Sequence, residues 1–214
     1  MAARVTAELQ SLRAAEDVRR LYHQLRRSIC HSLLGLARAL EAKDPYTHGH
    51  SERVGAWSRR LAAALGLAST EVEAITQAGL LHDIGKIGVP ESLLRKRAGL
   101  TQDEWTLMRQ HPIIGAQIVA PYEFFAGGAL VIRHHHERWN GTGYPDGLVA
   151  TAIPRGARVV AVADVFDALT SERPHRAALS RDAALAYLAA EAGHTLDAEV
   201  VAALLGLIRL DELA

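Results

Sequence analysis

His82 and Asp83 are adjacent in the chain, an imidazole beside a carboxylate, the two donor types that most first-row transition metals accept. Neighbours on a helix project about 100° apart, so the pair can approach one metal ion from two sides, or the carboxylate can bridge two ions. A lone His-Asp pair is common in proteins that bind nothing. This one has company: His50, His111, the triplet His134, His135 and His136, and Asp164 each fall on or beside an expected helix, so several helices can aim ligands into one bundle interior. Three consecutive histidines cannot all face one centre, and His135 and His136 are the favoured members of the triplet. His48 precedes a glycine at a helix start and reads as exposed. His23, His31, His175 and His194 lack a metal-type partner and read as surface or packing residues.

The elements that must position these groups are helical. From Val18, the residues Leu21, Leu25, Ile29, Leu33, Leu36 and Leu40 recur every three or four positions, tracing one face of a long helix from near residue 4 to before Pro45. That face either packs on its own domain or pairs with a second chain. Ser28, Ser32 and Gly35 interrupt a strict heptad seam, so any coiled coil is short. A second helix is expected over 47–65, ended by Gly66, and a third opens at Thr70 with Glu73 in a capping box and carries His82 and Asp83 near its end. Gly85, Gly88 and Pro90 break it, and Thr101 with Glu104 opens a helix leading to His111, with Pro112 in the first turn of the next. A helix over 123–136 precedes a loop dense in breakers from Asn140 to Pro154. A buried helix over 155–171 ends before Pro174, and helices near 180–192 and 197–208 follow.

Composition agrees. The 214 residues suffice for one substantial core, Ala and Leu dominate the apolar set, and no run alternates as a strand would, so the expected class is all-α. With 24 basic and 24 acidic residues, the molecule as a whole has no pull toward polymeric nucleic acid or an anionic membrane, and an anionic ligand must be caught by a local patch. The single cysteine, Cys30, excludes an internal disulfide and fits a reducing compartment, the cytoplasm. Arg4, Glu8, Arg13, Glu16 and Asp17 do not read as a signal peptide, and no stretch is apolar for long enough to cross a membrane.

Five segments in order resemble the HD-GYP domain, a branch of the HD phosphohydrolase superfamily: EAKDPYTHGHSERV at 41–54, LLHDIGKIGVP at 80–90, MRQHP at 108–112, HHERWNGTGYP at 135–145 and VADVFDALTSERPHR at 162–176. The resemblance covers roughly residues 35–210. It implies an HD-type helical bundle with an extended N-terminal helix. Residues 35–214 are then the phosphohydrolase domain, and residues 1–34, outside the resemblance, are read from their apolar face as a dimerising or signal-transmitting helix, with a homodimer and an upstream signalling partner expected. It further implies hydrolysis of cyclic di-GMP to pGpG, with the onward step to GMP left open, and His50, His82, Asp83, His111, His135, His136 and Asp164 as metal ligands. Lys86 resembles the lysine that contacts the scissile phosphate, and Arg173 and Arg176 resemble basic residues that hold the ligand's phosphates. Gly143, Tyr144 and Pro145 form the GYP signature beside the site. Family members with three ions carry a glutamate four residues before the first ligand histidine. Tyr46 stands there in this chain, which implies two ions. Asn140 and His175 also depart from the family's usual aspartate and tyrosine.

Mixed imidazole and carboxylate donors suit iron or manganese first, then zinc or nickel. Two such ions ~3.5–4 Å apart can share a hydroxide and clamp a phosphoryl oxygen during in-line displacement, with Asp83 as the expected bridge. Lys86 would stabilise charge building on the phosphorus oxygens. The competing readings are an HD-type hydrolase of another phosphate ester or cyclic dinucleotide, and a module that senses cyclic di-GMP without turning it over.

Overall fold

The computed structural model describes residues 2–42, 49–96, 98–172 and 177–212. Among the described residues, ten α-helices and short 3-10 turns make up the regular structure, and the only β-type pairings are isolated bridges at Asn140–Val149 and Ala192–Leu196. The protein is all-α, as its composition predicts.

Helix α1 spans Ala2–Glu41. Residues Met1–Gly35 form one compact unit and Leu36–Ala214 another. In the first unit Val18, Leu21 and Leu25 are exposed along the helix. No described helix is long and apolar enough to cross a membrane.

In the second unit, α2 (His50–Ala64), α3 (Ser69–Leu81), α7 (Ala126–His134), α9 (Arg181–Glu191) and α10 (Ala198–Glu212) pack around α8 (Arg155–Thr170). Helix α8 buries Ala157, Val159, Val160, Val162, Ala163, Phe166 and Leu169, a set that runs round the helix because neighbours cover it on several sides. Facing residues Leu61, Ile75, Ile132, Leu188 and Leu204 complete the core. Between α3 and α7 lie the 3-10 turn Ile84–Gly88 and helices α4 (Glu91–Leu94), α5 (Gln102–Met108) and α6 (His111–Val119).

Three local expectations need correction. Helix α3 starts at Ser69, capped by Glu71 reaching back to the Ala68 amide at 3.3 Å, rather than at Thr70 with Glu73. It ends at Leu81, leaving His82 as its cap and Asp83 at the head of the 3-10 turn. The 123–136 helix is shorter, Ala126–His134 after a 3-10 turn at Glu123–Phe125. The Thr101–Glu104 capping box forms as expected, with both reciprocal bonds in place. The start of the 47–65 helix falls partly outside the described residues; α2 is described from His50, and Gly66 follows its end at φ +70°.

Candidate metal centre

Helix ends build this site. The last carbonyls of a helix have no intrahelical donor. At three ends here a histidine supplies one: His82 Nδ1 donates to Gly79 O (2.8 Å), His111 Nδ1 to Met108 O (2.8 Å) and His135 Nδ1 to Ile132 O (2.7 Å). A carbonyl can only accept, so each Nδ1 carries the proton and each Nε2 presents its lone pair. His50 is fixed in the same sense, its Nδ1 lying 2.7 Å from Asp167 Oδ2.

The aimed groups converge. Donor atoms of Asp83, His111, His135 and His136 all lie within 4.8 Å of one another, as do those of His50, His82 and Asp83, so Asp83 belongs to both groups. Its Oδ1 is 3.3 Å from His111 Nε2 and its Oδ2 is 3.6 Å from His82 Nε2. Asp164 joins through Oδ1, 3.3 Å from His50 Nε2. Ring centroids of His50–His82, His82–His135 and His111–His136 stand 5.0 to 5.1 Å apart. All seven side chains singled out as ligands in the sequence therefore meet in one place. His134 points elsewhere, its Nδ1 toward Leu130 O and its Nε2 toward Asp146, at 2.9 and 2.8 Å. His23, His31 and His194 are exposed.

Backbone approach makes the convergence possible. A Cβ on Gly85 would lie 1.9 Å from His111 O and 2.4 Å from Gly115 N, so only glycine lets the turn after Asp83 dock on the start of α6. From the other side, Glu41 accepts from the amides of Gly49 (3.2 Å) and Ser51 (2.8 Å) at the start of α2, and Arg38 grips Glu52 at 2.6 and 3.0 Å. Both contacts fix the turn that carries His50.

The charge state suits a cation. Burial pushes His135 well below the ordinary imidazole range and His136 down to about 3, and it also lowers His111. Burial works against charge on Asp83 and Asp164, yet Lys86 and neighbouring histidines around the first, and His50 around the second, outweigh it and hold both well below the usual carboxylate range. Burial opposes charge on His50 too, but its bonds to Asp164 and Asp167 push it up to about 10. Neutral imidazoles at His111, His135 and His136 beside ionised carboxylates are the protonation states that a transition-metal ion requires, whereas His50, charged while it bonds both aspartates, has to give up its Nε2 proton to an incoming ion. The donor set fits divalent transition-metal ions in type as well as in charge.

Around this cluster, Lys86 Nζ is 2.5 Å from Asp83 Oδ2, on a 3-10 turn rather than on a continued helix. The Tyr144 ring lies over His136 at 4.8 Å and 30°, with the Arg109 guanidinium 5.4 Å from its centroid. Burial, and then the charges of Asp83 and Asp164, raise the Tyr144 hydroxyl above its ordinary range, so it stays protonated. Tyr46, Thr47, His48, Arg173, His175 and Arg176 lie outside the described residues. Asn140 Oδ1 accepts from the Thr142 amide (3.1 Å) and hydroxyl (2.7 Å), a turn contact that an aspartate oxygen would also make.

Two contributors escaped the sequence reading. Asp167 is buried, bonded to His50 and gripped by Arg53 through Nε and NH2. Its spacing of three from Asp164 on α8 was a usable signal, since residues three apart share a helix face. Glu137 is also buried and accepts the amides of Asp146, Gly147 and Leu148 at 2.7, 3.1 and 3.1 Å, pinning the GYP loop. Nothing local marks it out beyond its place beside His136.

Residues 35–200 match the family model described as HD domain, and the chain belongs to that family. Its motifs place it in the HD-GYP branch, and known proteins agree. It is 49% identical over 176 residues to the cyclic di-GMP phosphodiesterase response regulator RpfG of Xanthomonas campestris pv. campestris, covering 81% of this chain and 47% of that protein. A solved structure of a cyclic GMP-AMP-specific phosphodiesterase from Vibrio cholerae superposes with a TM-score of 0.68 at 20% identity, covering 84% of this chain and 48% of the other. An HDG"Y"P protein from Bdellovibrio bacteriovorus superposes at 0.60 with 26% identity, over 75% of this chain and 51% of the other. The chain spans about half the length of these proteins.

Proposed function

We propose that this chain is a metal-dependent phosphodiesterase that opens cyclic di-GMP to linear pGpG and hydrolyses the product onward to GMP. The carrying observation is the convergence of five histidines and two aspartates with Asp83 common to two donor groups. Relatives named for cyclic di-GMP hydrolysis support the substrate.

In this reading His50, His82, Asp83, His111, His135, His136 and Asp164 would hold two ions, iron or manganese, with Asp83 common to both donor groups. When bound, the ions supply Lewis acidity toward a phosphoryl oxygen and lower the pKa of water. The protein's own groups do the rest. Nδ1–H bonds to backbone carbonyls keep three imidazoles in one tautomer and orientation, so no reorganisation is needed during reaction. Lys86, held beside Asp83, stabilises negative charge as it builds on the phosphorus oxygens. Tyr144 closes the site over His136 and keeps its hydroxyl as a donor for the ligand. Arg173 and Arg176 bind the ligand's phosphates.

The test is anaerobic metal analysis coupled to chromatography of the products. Wild type should carry two ions per chain and yield linear dinucleotide, then GMP. Asp83→Ala should lose metal and at least ~100-fold in turnover. Full metal content and full hydrolysis in that variant would remove Asp83 from the centre. Ligand binding with no product from metal-replete wild type would favour a sensing module instead.

The N-terminal helix is a candidate homodimer element. Exposed Val18, Leu21 and Leu25 fall at heptad spacing and offer a short apolar seam to a second copy. Leu21→Glu should turn a dimer into a monomer in sedimentation velocity.

A further inference from the structure

A cavity of about 370 Å³ opens between α8, α9 and the segment after α7, with His136 and Asp164 in its wall. That volume is roughly 12 waters' worth of liquid at ~30 Å³ each, enough for a nucleobase and part of its ribose. The wall away from the donor cluster carries Arg138, Tyr187, Glu191 and Thr195, none of which has a part in holding metal.

Glu191 is the informative residue. The Thr195 hydroxyl donates to its Oε2, and His194 Nδ1 stands 3.5 Å from the same oxygen. Oε1 has no hydrogen-bond partner among the described residues. The Thr195 bond holds the carboxyl below its ordinary range, so at neutral pH it only accepts. Arg138 is exposed, and its guanidinium makes no hydrogen bond or ion pair among the described residues. Tyr187 presents an exposed ring in the same wall. An oriented acceptor, an unpaired fork of donors and an aromatic face therefore share one cavity next to the cluster proposed to cut a phosphodiester.

Few ligand groups ask for all three. Guanine does: its N1–H and exocyclic amino group are adjacent donors that match a carboxylate, and its O6 and N7 are adjacent acceptors that match a guanidinium. Adenine presents a lone pair at N1, which would oppose Glu191. We propose that this cavity is a guanine-selective base subsite. Glu191 accepts from N1–H and the amino group, Arg138 donates to O6 and N7, and Tyr187 stacks on the ring. The subsite rests on the phosphodiesterase reading for the source of its ligand, a guanine base whose phosphate reaches the metal centre.

Calorimetric titration of the metal-loaded protein with GMP and with AMP tests this without turnover. Both carry the same phosphate, so the difference between them reports on the base. Wild type should bind GMP at least about 10-fold more tightly than AMP, in line with one bidentate base contact. Glu191→Gln, which sets an amide N–H2 against the guanine donors, should reduce that preference below about 2-fold. Arg138→Ala should weaken GMP more than AMP. Melting temperature and metal content check that each variant is folded. Equal affinities in wild type, or a preference that survives Glu191→Gln, overturns the assignment. Absence of any product from cyclic di-GMP would instead count against the catalytic reading, and the mononucleotide titration would still decide the subsite.

Discussion

His50 Nδ1 lies 2.7 Å from Asp167 Oδ2, and Arg53 grips the same carboxylate, its NH2 3.0 Å from Oδ2. Asp167 is thus a positioning residue, setting the tautomer and angle of a proposed ligand without reaching the metal itself. Asp167→Asn keeps the size but removes the charge, and leaves the Arg53 grip without its ionic component. Metal affinity should fall about 10–100-fold, measured by competition with a chelating dye. Turnover at saturating metal should recover most of its loss, because all seven donors remain. If the variant binds metal as wild type does, His50 is oriented by packing alone and the role given to Asp167 is wrong.

Gly85 is where the backbone itself makes the site. A methyl group there would meet His111 O and Gly115 N, atoms that no rotamer change can move. Gly85→Ala must push the 3-10 turn off α6 and so part Asp83 from His111, now 3.3 Å apart. We expect a loss of about 1–3 kcal/mol in denaturant unfolding, together with weaker metal retention. Gly99→Ala, where nothing stands within 4 Å of the added atom, is the matched control and should leave both measurements unchanged.

The reach of the sequence can be judged from the same residues. The candidate ligands were legible because their side-chain types are few and most stand at helix ends, near breakers visible in the chain; Asp164, in the middle of α8, is the exception. Thr101 and Glu104 announced their capping box because both partners have side-chain oxygens. Ala68 has none, so the start of α3 was misplaced onto the nearer Thr70 pattern, although Glu71 caps the backbone just as well. The conversion of helix to 3-10 turn after Leu81 has a tertiary cause, the docking of Gly85 on α6, which local propensity does not record. The triplet itself favoured His135 and His136, but what holds His134 aside lies outside it. His134 is turned outward by Asp146, twelve residues away in the GYP loop.

Glu137 holds that loop by accepting three consecutive amides, those of Asp146, Gly147 and Leu148, from within the protein. Glu137→Gln replaces one acceptor oxygen with a donor that must face an amide N–H. The expected loss is about 1–3 kcal/mol of stability, and faster hydrogen exchange at 146–148 than elsewhere in the domain. Because Tyr144 stands two residues before the first of those amides, the Michaelis constant should rise more than turnover falls. Unchanged exchange at 146–148 would mean that the bonds between Arg133 and Asp146, at 2.7 and 2.8 Å, are enough to hold the loop.

Tyr144 separates two ways in which a tyrosine can serve the site. Its ring covers His136 at 4.8 Å and meets the Arg109 guanidinium at 5.4 Å, contacts that phenylalanine would keep. Its hydroxyl is held protonated, chiefly by burial, so it can donate to a ligand but contributes no charge. Tyr144→Phe should therefore preserve metal content and fold, and weaken cyclic di-GMP binding about 3–10-fold, the size expected for one neutral hydrogen bond. Tyr144→Ala removes the cover as well, exposing His136 to water, and should cost metal affinity in addition. Metal titration and substrate binding measured on both variants distinguish the cases. If Phe and Ala variants lose substrate affinity equally while both keep their metal, the hydroxyl carries the whole role and the ring packing contributes nothing to the centre.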